Sequence, residues 1–457
     1  MELRDYQQSG MDDIRREFRM GHDRVLYVAP TGAGKTVIFA HVAMGAVEKG
    51  HRIYILVHRQ ELIKQTSQKL VDLGVKHGII WGPQPLNREK VQVCSVQTLA
   101  KRLDRIRPAD LIVIDEAHHS VAGSYRTVID RWPNAKVLGV TATPHRADGI
   151  GLDMVYQSMV VGPTTGELIE RGYLSEFKAY GPPKQLDLSG VRLNSLGSDY
   201  MVDDLEGAID KPTITGDAVK HYIRYCWGKP GIAFCVSRKH AEHVAQQFRR
   251  EGIAAQAIDG SVSDSQRMSI LSDFSRGIVK VLTSCDLVSE GFDVPEVVAA
   301  ILLRPTKSSG LAIQQIGRCL RIAPGKERAY ILDHVGNCSL HGLPDEPRQW
   351  SLLGTKGRVQ AGIKEIVAAV KQCPQCYAQF SPRQTCPECG HNMPVVGRQI
   401  DEQDGELQEI TGRPESKKAE QGRAQTLEEL IAIGKKRGFR YPEMWASHVL
   451  KGRNKSA

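Results

Sequence analysis

The chain has 457 residues, of which 41% are hydrophobic, and a formal net charge of +9. That length suits about three folding units with sizeable cores, and the longest apolar run, 297–303, is strand length, which excludes a helix across a membrane. The basic balance fits a phosphate-backbone partner as well as it fits a merely basic soluble protein. The polar start, MELRDYQQSG, has no signal-peptide apolar segment, so a cytoplasmic protein without a membrane partner is expected.

Short apolar runs alternate with longer helical patterns. In the first part the runs are 25–28, 53–57, 91–93, 111–114 and 137–140; in the second they are 232–235, 254–258, 279–282, 298–303 and 329–332. Runs apolar throughout suit parallel strands covered by helices on both faces. The reading is an α/β fold of two doubly wound parallel-sheet lobes, 1–161 and 212–345. The less regular stretch 162–211, with Pro182-Pro183 and scattered Gly, Asn and Ser, reads as their connection. Then follow a helical connector (346–372), a cysteine segment (373–390), a polar flexible linker (391–425) and a basic helical tail (426–457). In the tail, Thr426 and Glu429 have capping-box spacing, and Leu427, Leu430 and Ile431 form an apolar stripe. Lys435, Lys436, Arg437 and Arg440 beside Tyr441 and Trp445 suit phosphates and stacked bases, or form a solvated basic face.

Ala29-Pro30-Thr31-Gly32-Ala33-Gly34-Lys35-Thr36 follows an apolar strand and opens a helical stretch. That is the context of a phosphate loop, with Ala29 where the strict pattern has Gly. Gly32 and Gly34 let the backbone approach phosphates, and the N–H groups of Thr31 to Thr36 face the negative charge. Lys35 would bind the β- and γ-phosphates of ATP, and the Thr36 hydroxyl would ligate Mg²⁺. Further on, a buried strand ends in Asp115 and Glu116. Asp115 would hold Mg²⁺, and Glu116 would orient and deprotonate the attacking water. Gln314, Arg318 and Arg321 fall at i, i+4 and i+7, one face of a helix. Two arginines there could act as fingers on the γ-phosphate, which is worth roughly 10³–10⁵ in rate. The catalytic set is therefore Lys35, Glu116, Arg318 and Arg321.

These segments, taken in order, resemble the superfamily 2 helicases of the DEAH-like type, over roughly residues 2–335, whose lobes are RecA-like. Leu3-Arg4-Asp5-Tyr6-Gln7 looks like the adenine-reading motif, with Gln7 on the adenine edge and Arg4 packed on the base. Val57-His58-Arg59-Gln60-Glu61-Leu62 and Ser95-Val96-Gln97-Thr98-Leu99 look like the backbone-gripping motifs of the first lobe, which puts Arg59, Gln97 and Thr98 on the strand. Asp115-Glu116-Ala117-His118 matches the family's signature box. Thr141-Ala142-Thr143-Pro144 looks like the motif that couples hydrolysis to movement, with His118, Thr141, Thr143 and Gln314 as coupling residues. In the second lobe 232–240 looks like motif IV and 283–295 like motif V. The resemblance implies that Ser237 and Thr283 touch the nucleic acid, and that Gly291 and Asp293 lie near the ribose. Residues 302–306 and 322–326, with a cysteine module after the second lobe, are similar to RadD-type bacterial DNA-repair proteins and phage helicases.

Cys94, Cys226, Cys235, Cys285, Cys319 and Cys338 are isolated and read as buried thiols. Cys373-Pro-Gln-Cys376 and Cys386-Pro-Glu-Cys389 form two knuckles that together would hold a structural Zn²⁺ through four protein ligands. The expected activity is ATP-dependent translocation or unwinding, 3′-to-5′ by resemblance, by a monomer on single-stranded or branched DNA in repair, recombination or replication. The rivals are an RNA-directed ATPase of the same superfamily, a strand-annealing factor that does not unwind, and the motor subunit of a restriction system. The motifs do not separate DNA from RNA, and no wedge, substrate structure or protein partner is specified.

Overall fold

A computed structural model describes residues 2–146, 148–182, 186–195, 197–209, 212–285, 297–354, 369–393, 424, 426–437 and 441–453. Gly291 and Asp293, most of the connector 346–372, nearly all of the linker 391–425, and Arg440 lie outside them. The chain divides into a unit of residues 1–394 and a second of 395–457.

The first lobe runs α1 (Asp5–Arg19), β1 (Arg24–Val28), α2 (Lys35–Glu48), β2 (Ile53–Val57), α3 (Gln60–Asp72), β3 (His77–Ile80), β4 (Val91–Ser95), α4 (Val96–Ala100), β5 (Leu111–Asp115), α5 (Gly123–Arg131), β6 (Lys136–Thr141) and β7 (Ser158–Val161). Its sheet has the order β3-β4-β2-β5-β6-β1-β7, with every pairing parallel. Alternate residues of each strand enter different cores. Val25, Tyr27, Ile55 and Val113 join one apolar cluster, and Leu26, Val28, Leu56 and Ile114 join the other. Both faces are thus covered, which is why these strands are apolar throughout rather than alternating. Each fully buried Leu, Ile or Val adds roughly 1.5–3 kcal/mol.

Then come α6 (Thr165–Glu170), β8 (Phe177–Tyr180), α7 (Val202–Ile209), α8 (Pro212–Cys226), β9 (Gly231–Phe234), α9 (Arg238–Arg250), β10 (Ala255–Ile258), α10 (Asp264–Ser275), β11 (Val281–Ser284), β12 (Ala299–Leu302), α11 (Ser309–Gly317), β13 (Ala329–Asp333), α12 (Asn337–His341), β14 (Lys371–Gln372) and β15 (Ala378–Phe380). The second sheet has the order β10-β11-β9-β12-β13-β8-β15-β14. It is parallel up to β8; β15 and β14 add antiparallel strands at that edge.

Two features depart from the sequence reading. β8, inside the stretch assigned to the connection, is a full member of the second sheet, paired in parallel with β13. Its four residues are mostly half-buried, so they lack the apolar run that marks the other strands. The cysteine segment is not a separate appendage either: β15 pairs with β8 in the register Ala378↔Tyr180. After α12 the chain also returns to the first lobe. There Leu352 O accepts from Leu152 N at 2.7 Å and Trp350 meets His145 edge-on with ring centroids 5.0 Å apart. The second unit holds α13 (Leu427–Lys436), with its Thr426–Glu429 capping box, and α14 (Pro442–Arg453), packed through Leu430 and Ala446.

Candidate functional site

The phosphate loop joins the end of β1 to α2. Gly32 and Gly34 have φ of +89° and +75°, a left-handed conformation that side chains resist. Space excludes them too, since a Cβ on Gly34 would lie 2.4 Å from Gln7 Nε2 and one on Gly32 2.8 Å from Leu174. Lys35 Nζ donates to the loop carbonyls of Ala29 and Pro30, both at 3.1 Å. Burial pulls its amine below the usual lysine range, against the pull of Glu116 and Asp115.

The two carboxylates stand at the tip of β5. Asp115 Oδ1 accepts from Glu116 N at 3.0 Å. Burial, followed by the neighbouring Glu116 charge, raises the Asp115 carboxyl to about 6. Glu116 has φ of +51°, one of two non-glycine residues with positive φ among the described residues, a strain of order 1–3 kcal/mol of the kind that gathers at functional sites. Its Oε2 is buried without a hydrogen bond and lies 3.4 Å from His118 Nδ1. His118 Nδ1 is 3.1 Å from Thr141 Oγ1, and Thr141 Oγ1 donates to Thr143 O at 2.9 Å. Because Thr141 spends its only proton on a carbonyl, His118 must carry its hydrogen on Nδ1. Glu116, His118, Thr141 and Thr143 therefore form one connected row.

The second lobe closes on this set through α11 and the residues after it. A Cβ on Gly317 would lie 2.8 Å from Thr31 Cβ, and one on Gly310 3.1 Å from Thr143 Oγ1. Gln314 and Arg318 are buried. The expected single helical face is corrected here: α11 ends at Gly317, Arg318 is its C-cap, and Arg321 lies in an extended segment bridged to Leu174. The helix ends with Arg318 N and Cys319 N donating only three residues back, to Gln315 O at 3.3 Å and Ile316 O at 3.1 Å; beyond it Ser175 N donates to Leu320 O at 2.8 Å and Ser175 Oγ to Arg321 O at 3.1 Å. Both arginines nevertheless line one cleft with Thr31, Gly32, Gly34, Lys35, Thr36, Asp115 and Glu116. Its volume is about 350 Å³, within the range of roughly 300–1,000 Å³ usual for small-molecule sites. Arg4, Lys35, Lys69, Arg318 and Arg321 face only Asp115 and Glu116 across it, an excess of positive charge suited to a triphosphate. Burial lowers the Arg321 guanidinium to about 10, still charged at neutral pH.

Gln7 does not line that cleft. Its Nε2 donates to Ala33 O at 3.2 Å and its Oε1 accepts from Arg4 N at 3.0 Å; with Tyr6 Oη, which donates to Ala33 O at 3.1 Å, it props the phosphate loop from behind. Arg4 does line the cleft, and its guanidinium lies 4.4 Å from the Tyr173 ring centre. Tyr173, Leu174 and Ser175 carried no signal in the sequence, because their partners are far away along the chain.

The residues expected on the nucleic acid lie where strands end. Arg59 caps α3 after β2. On α4, Gln97 accepts from Ser95 Oγ at 2.9 Å and Thr98 Oγ1 accepts from Gly82 N at 3.3 Å. Ser237 caps α9, accepting from His240 N at 3.1 Å. Thr283 is fully buried and donates to Ala241 O at 2.7 Å. Its hydroxyl therefore serves the interior of the second lobe rather than a phosphate, since strand alternation turns it toward α9.

The four thiols of Cys373, Cys376, Cys386 and Cys389 lie within 4.8 Å of one another. Cys373–Cys389 and Cys376–Cys386 Sγ distances are both 3.6 Å, close to the edge of about 3.8 Å that a tetrahedron of Zn–S bonds near 2.3 Å has. The two knuckles repeat one pattern: Tyr377 N donates to Cys373 O at 2.9 Å and Gly390 N to Cys386 O at 3.0 Å. The residues fit a zinc ion. Among the described residues no helix is long and apolar enough to cross a membrane.

Comparison with known proteins agrees with this architecture. Residues 1–146 match the family described as the res subunit of type III restriction enzymes, and residues 217–323 match the helicase conserved C-terminal domain. A 51.5 kDa protein of a Lactococcus phage (isolate 7-9) is 36% identical over 368 residues, covering 80% of this chain and 78% of that protein. A Saccharomyces cerevisiae protein named as an ATP-dependent helicase, IRC3, is 33% identical over 376 residues. That match covers 78% of this chain and 54% of IRC3, so the chain spans about half the length of that relative. The structure of the ATP-dependent Type ISP restriction-modification enzyme LlaBIII bound to DNA has a TM-score of 0.54 at 17% identity, covering 73% of this chain and 28% of that one, a likeness of fold.

Proposed function

This chain belongs to the superfamily 2 helicases, ATP-dependent enzymes of nucleic acid, and from that premise we propose that it is a DNA translocase or helicase, moving 3′-to-5′ in repair, recombination or replication. The observation that carries the reading is the meeting of Lys35, Asp115 and Glu116 from one lobe with Arg318 and Arg321 from the other in a single cleft.

In this proposal the loop N–H groups and Lys35 hold the β- and γ-phosphates. Thr36 and Asp115 would hold Mg²⁺, which neutralises phosphate charge when bound. Glu116, whose buried Oε2 has no hydrogen bond, accepts a proton from the attacking water. Arg318 and Arg321 stabilise the charge that develops on the γ-phosphate. Loss of that phosphate loosens the grip of the arginines. The row from Glu116 through His118 and Thr141 to Thr143, which abuts Gly310 of α11, carries the change to the lobe that moves. Arg59, Gln97, Thr98 and Ser237, at the carboxyl ends of strands in both lobes, are proposed to grip one strand in turn. The four cysteines would hold a structural zinc, since a closed set of thiolates leaves no position for substrate. DNA is favoured over RNA by the match of residues 1–146 to the res subunit of type III restriction enzymes.

The test is steady-state ATP hydrolysis by the full chain alone, with single-stranded DNA, with forked DNA and with RNA. Single-stranded DNA should stimulate hydrolysis, and Lys35→Ala or Glu116→Gln should each lower kcat roughly 10²–10³-fold. Stimulation by RNA and not by DNA would reassign the track. Undiminished hydrolysis in both variants would end the assignment of the cleft.

A further inference from the structure

Once α11 ends at Gly317, helical hydrogen bonds no longer fix the segment that carries Arg321. Two groups take over. Ser175 holds the carbonyls of Leu320 and Arg321 from the side of the inter-lobe connection. On the other side stands Lys326, whose Nζ donates to Val297 O at 2.8 Å and also to Cys319 O and Arg321 O. An ammonium has three N–H groups, and here three carbonyls receive them. A turn explains how the amine arrives. Lys326 N donates to Ala323 O at 3.1 Å, with Pro324 at the first corner and Gly325 at φ +75° at the second, the signature of a type II turn. That turn doubles the chain back so that Lys326 lies beneath the residues it has just left.

We propose that Lys326 is a positioning residue for ATP hydrolysis: its ammonium ties the Cys319–Arg321 backbone to Val297 and so presents the guanidiniums of Arg318 and Arg321 to the γ-phosphate. The inference rests on the ATPase reading above. Val297 lies two residues before β12, so the strut ties the finger segment to the chain entering the sheet. Charge is integral to the role. A neutral amine has two N–H groups and cannot serve three carbonyls, whereas an apolar side chain would fill the same half-buried space without the desolvation cost of an ammonium. Among the described residues the charged and titratable groups facing the amine are Cys319 and Arg321; burial brings Lys326 to about 8, with Cys319 opposing the shift and the Arg321 charge adding to it.

The experiment compares the full wild-type chain with Lys326→Met and Lys326→Arg at saturating single-stranded DNA, with thermal midpoints recorded for each. Lys326→Met keeps the length of the stem and should lower kcat about tenfold or more while the KM for ATP changes little, because the loss concerns geometry reached at the transition state. Wild-type kcat should fall as the pH rises through about 8, where the strut loses its third donor. Lys326→Arg stays charged, and should recover most of kcat and lack that alkaline fall. The proposal is overturned if Lys326→Met hydrolyses ATP at the wild-type rate, or if wild type and Lys326→Arg share one pH profile. The second comparison decides the matter even where Lys326→Met does not fold. A wild-type chain with no ATPase activity would defeat the functional reading itself, a result distinct from either.

Discussion

Asp115 shows at the scale of one side chain how the site works against the fold. Its carboxyl titrates near 6 in the folded chain against an ordinary value of 3.8. Between those two pH values the folded state binds more protons than the unfolded one, so stability falls as the pH rises through that window and the whole penalty is present at neutral pH. Asp115→Asn should therefore raise the melting midpoint of the nucleotide-free chain by a few degrees at about pH 7.5, on the order of 1–3 kcal/mol. The gain should shrink toward pH 5, and ATP hydrolysis should be lost. Scanning fluorimetry at both pH values, paired with an ATPase assay, checks the sign. At this scale the phosphate-loop residues, the carboxylate pair and both arginines were legible in sequence, because phosphate chemistry fixes their types and spacing. Gln7 and Thr283 were legible as residues but not in direction. Both are polar groups that tertiary packing turned inward, onto Ala33 and Ala241. Tyr173, Ser175 and Lys326 act through partners that no local pattern reveals.

Among the elements, α11 sets the distance between the lobes. Gly317 allows the helix to approach Thr31 so closely that an added Cβ would lie 2.8 Å from that side chain. Gly317→Ala should hold α11 away from the phosphate loop, lowering kcat by roughly tenfold or more and raising the KM for ATP, with the circular dichroism of the chain unchanged. Unaltered kinetics would mean that the two lobes meet differently during turnover. Nine of the ten strands read from sequence are buried on both faces and so apolar almost throughout; β10, an edge strand with Gln256 exposed, is the exception. β3, β7 and β8 escaped that reading: their burial is partial, so neither an uninterrupted run nor a clean alternation marks them. The i, i+4, i+7 spacing of Gln314, Arg318 and Arg321 grouped two arginines that do share a cleft, though not on one helical face, with a glutamine that does not line it. The helix already ends at Gly317, and it is the turn after it that delivers Arg321.

In the whole molecule, the cysteine module is the outermost part of the second sheet, joined through β15 to β8. Lys178 of β8 and Glu388 of the second knuckle add an ion pair between them. Chelating the zinc proposed for the four cysteines, or replacing Cys373 by Ser, should release β14 and β15 and bare the edge of β8, and bare edges invite pairing with other chains. The expected result is a lower melting midpoint and concentration-dependent oligomers in light scattering; an unchanged, monodisperse chain would show that the edge does not depend on the metal. The sequence announced the four ligands but not this attachment, since a strand as short as β15 has no pattern of its own. A last consequence concerns how the lobes can move. The backbone passes between them at the stretch from α6 to β8, and passes back where Trp350 and Leu352 settle on His145 and Leu152. The second crossing thus gives the two lobes a further tie, which would narrow the motions open to them in the proposed ATPase cycle.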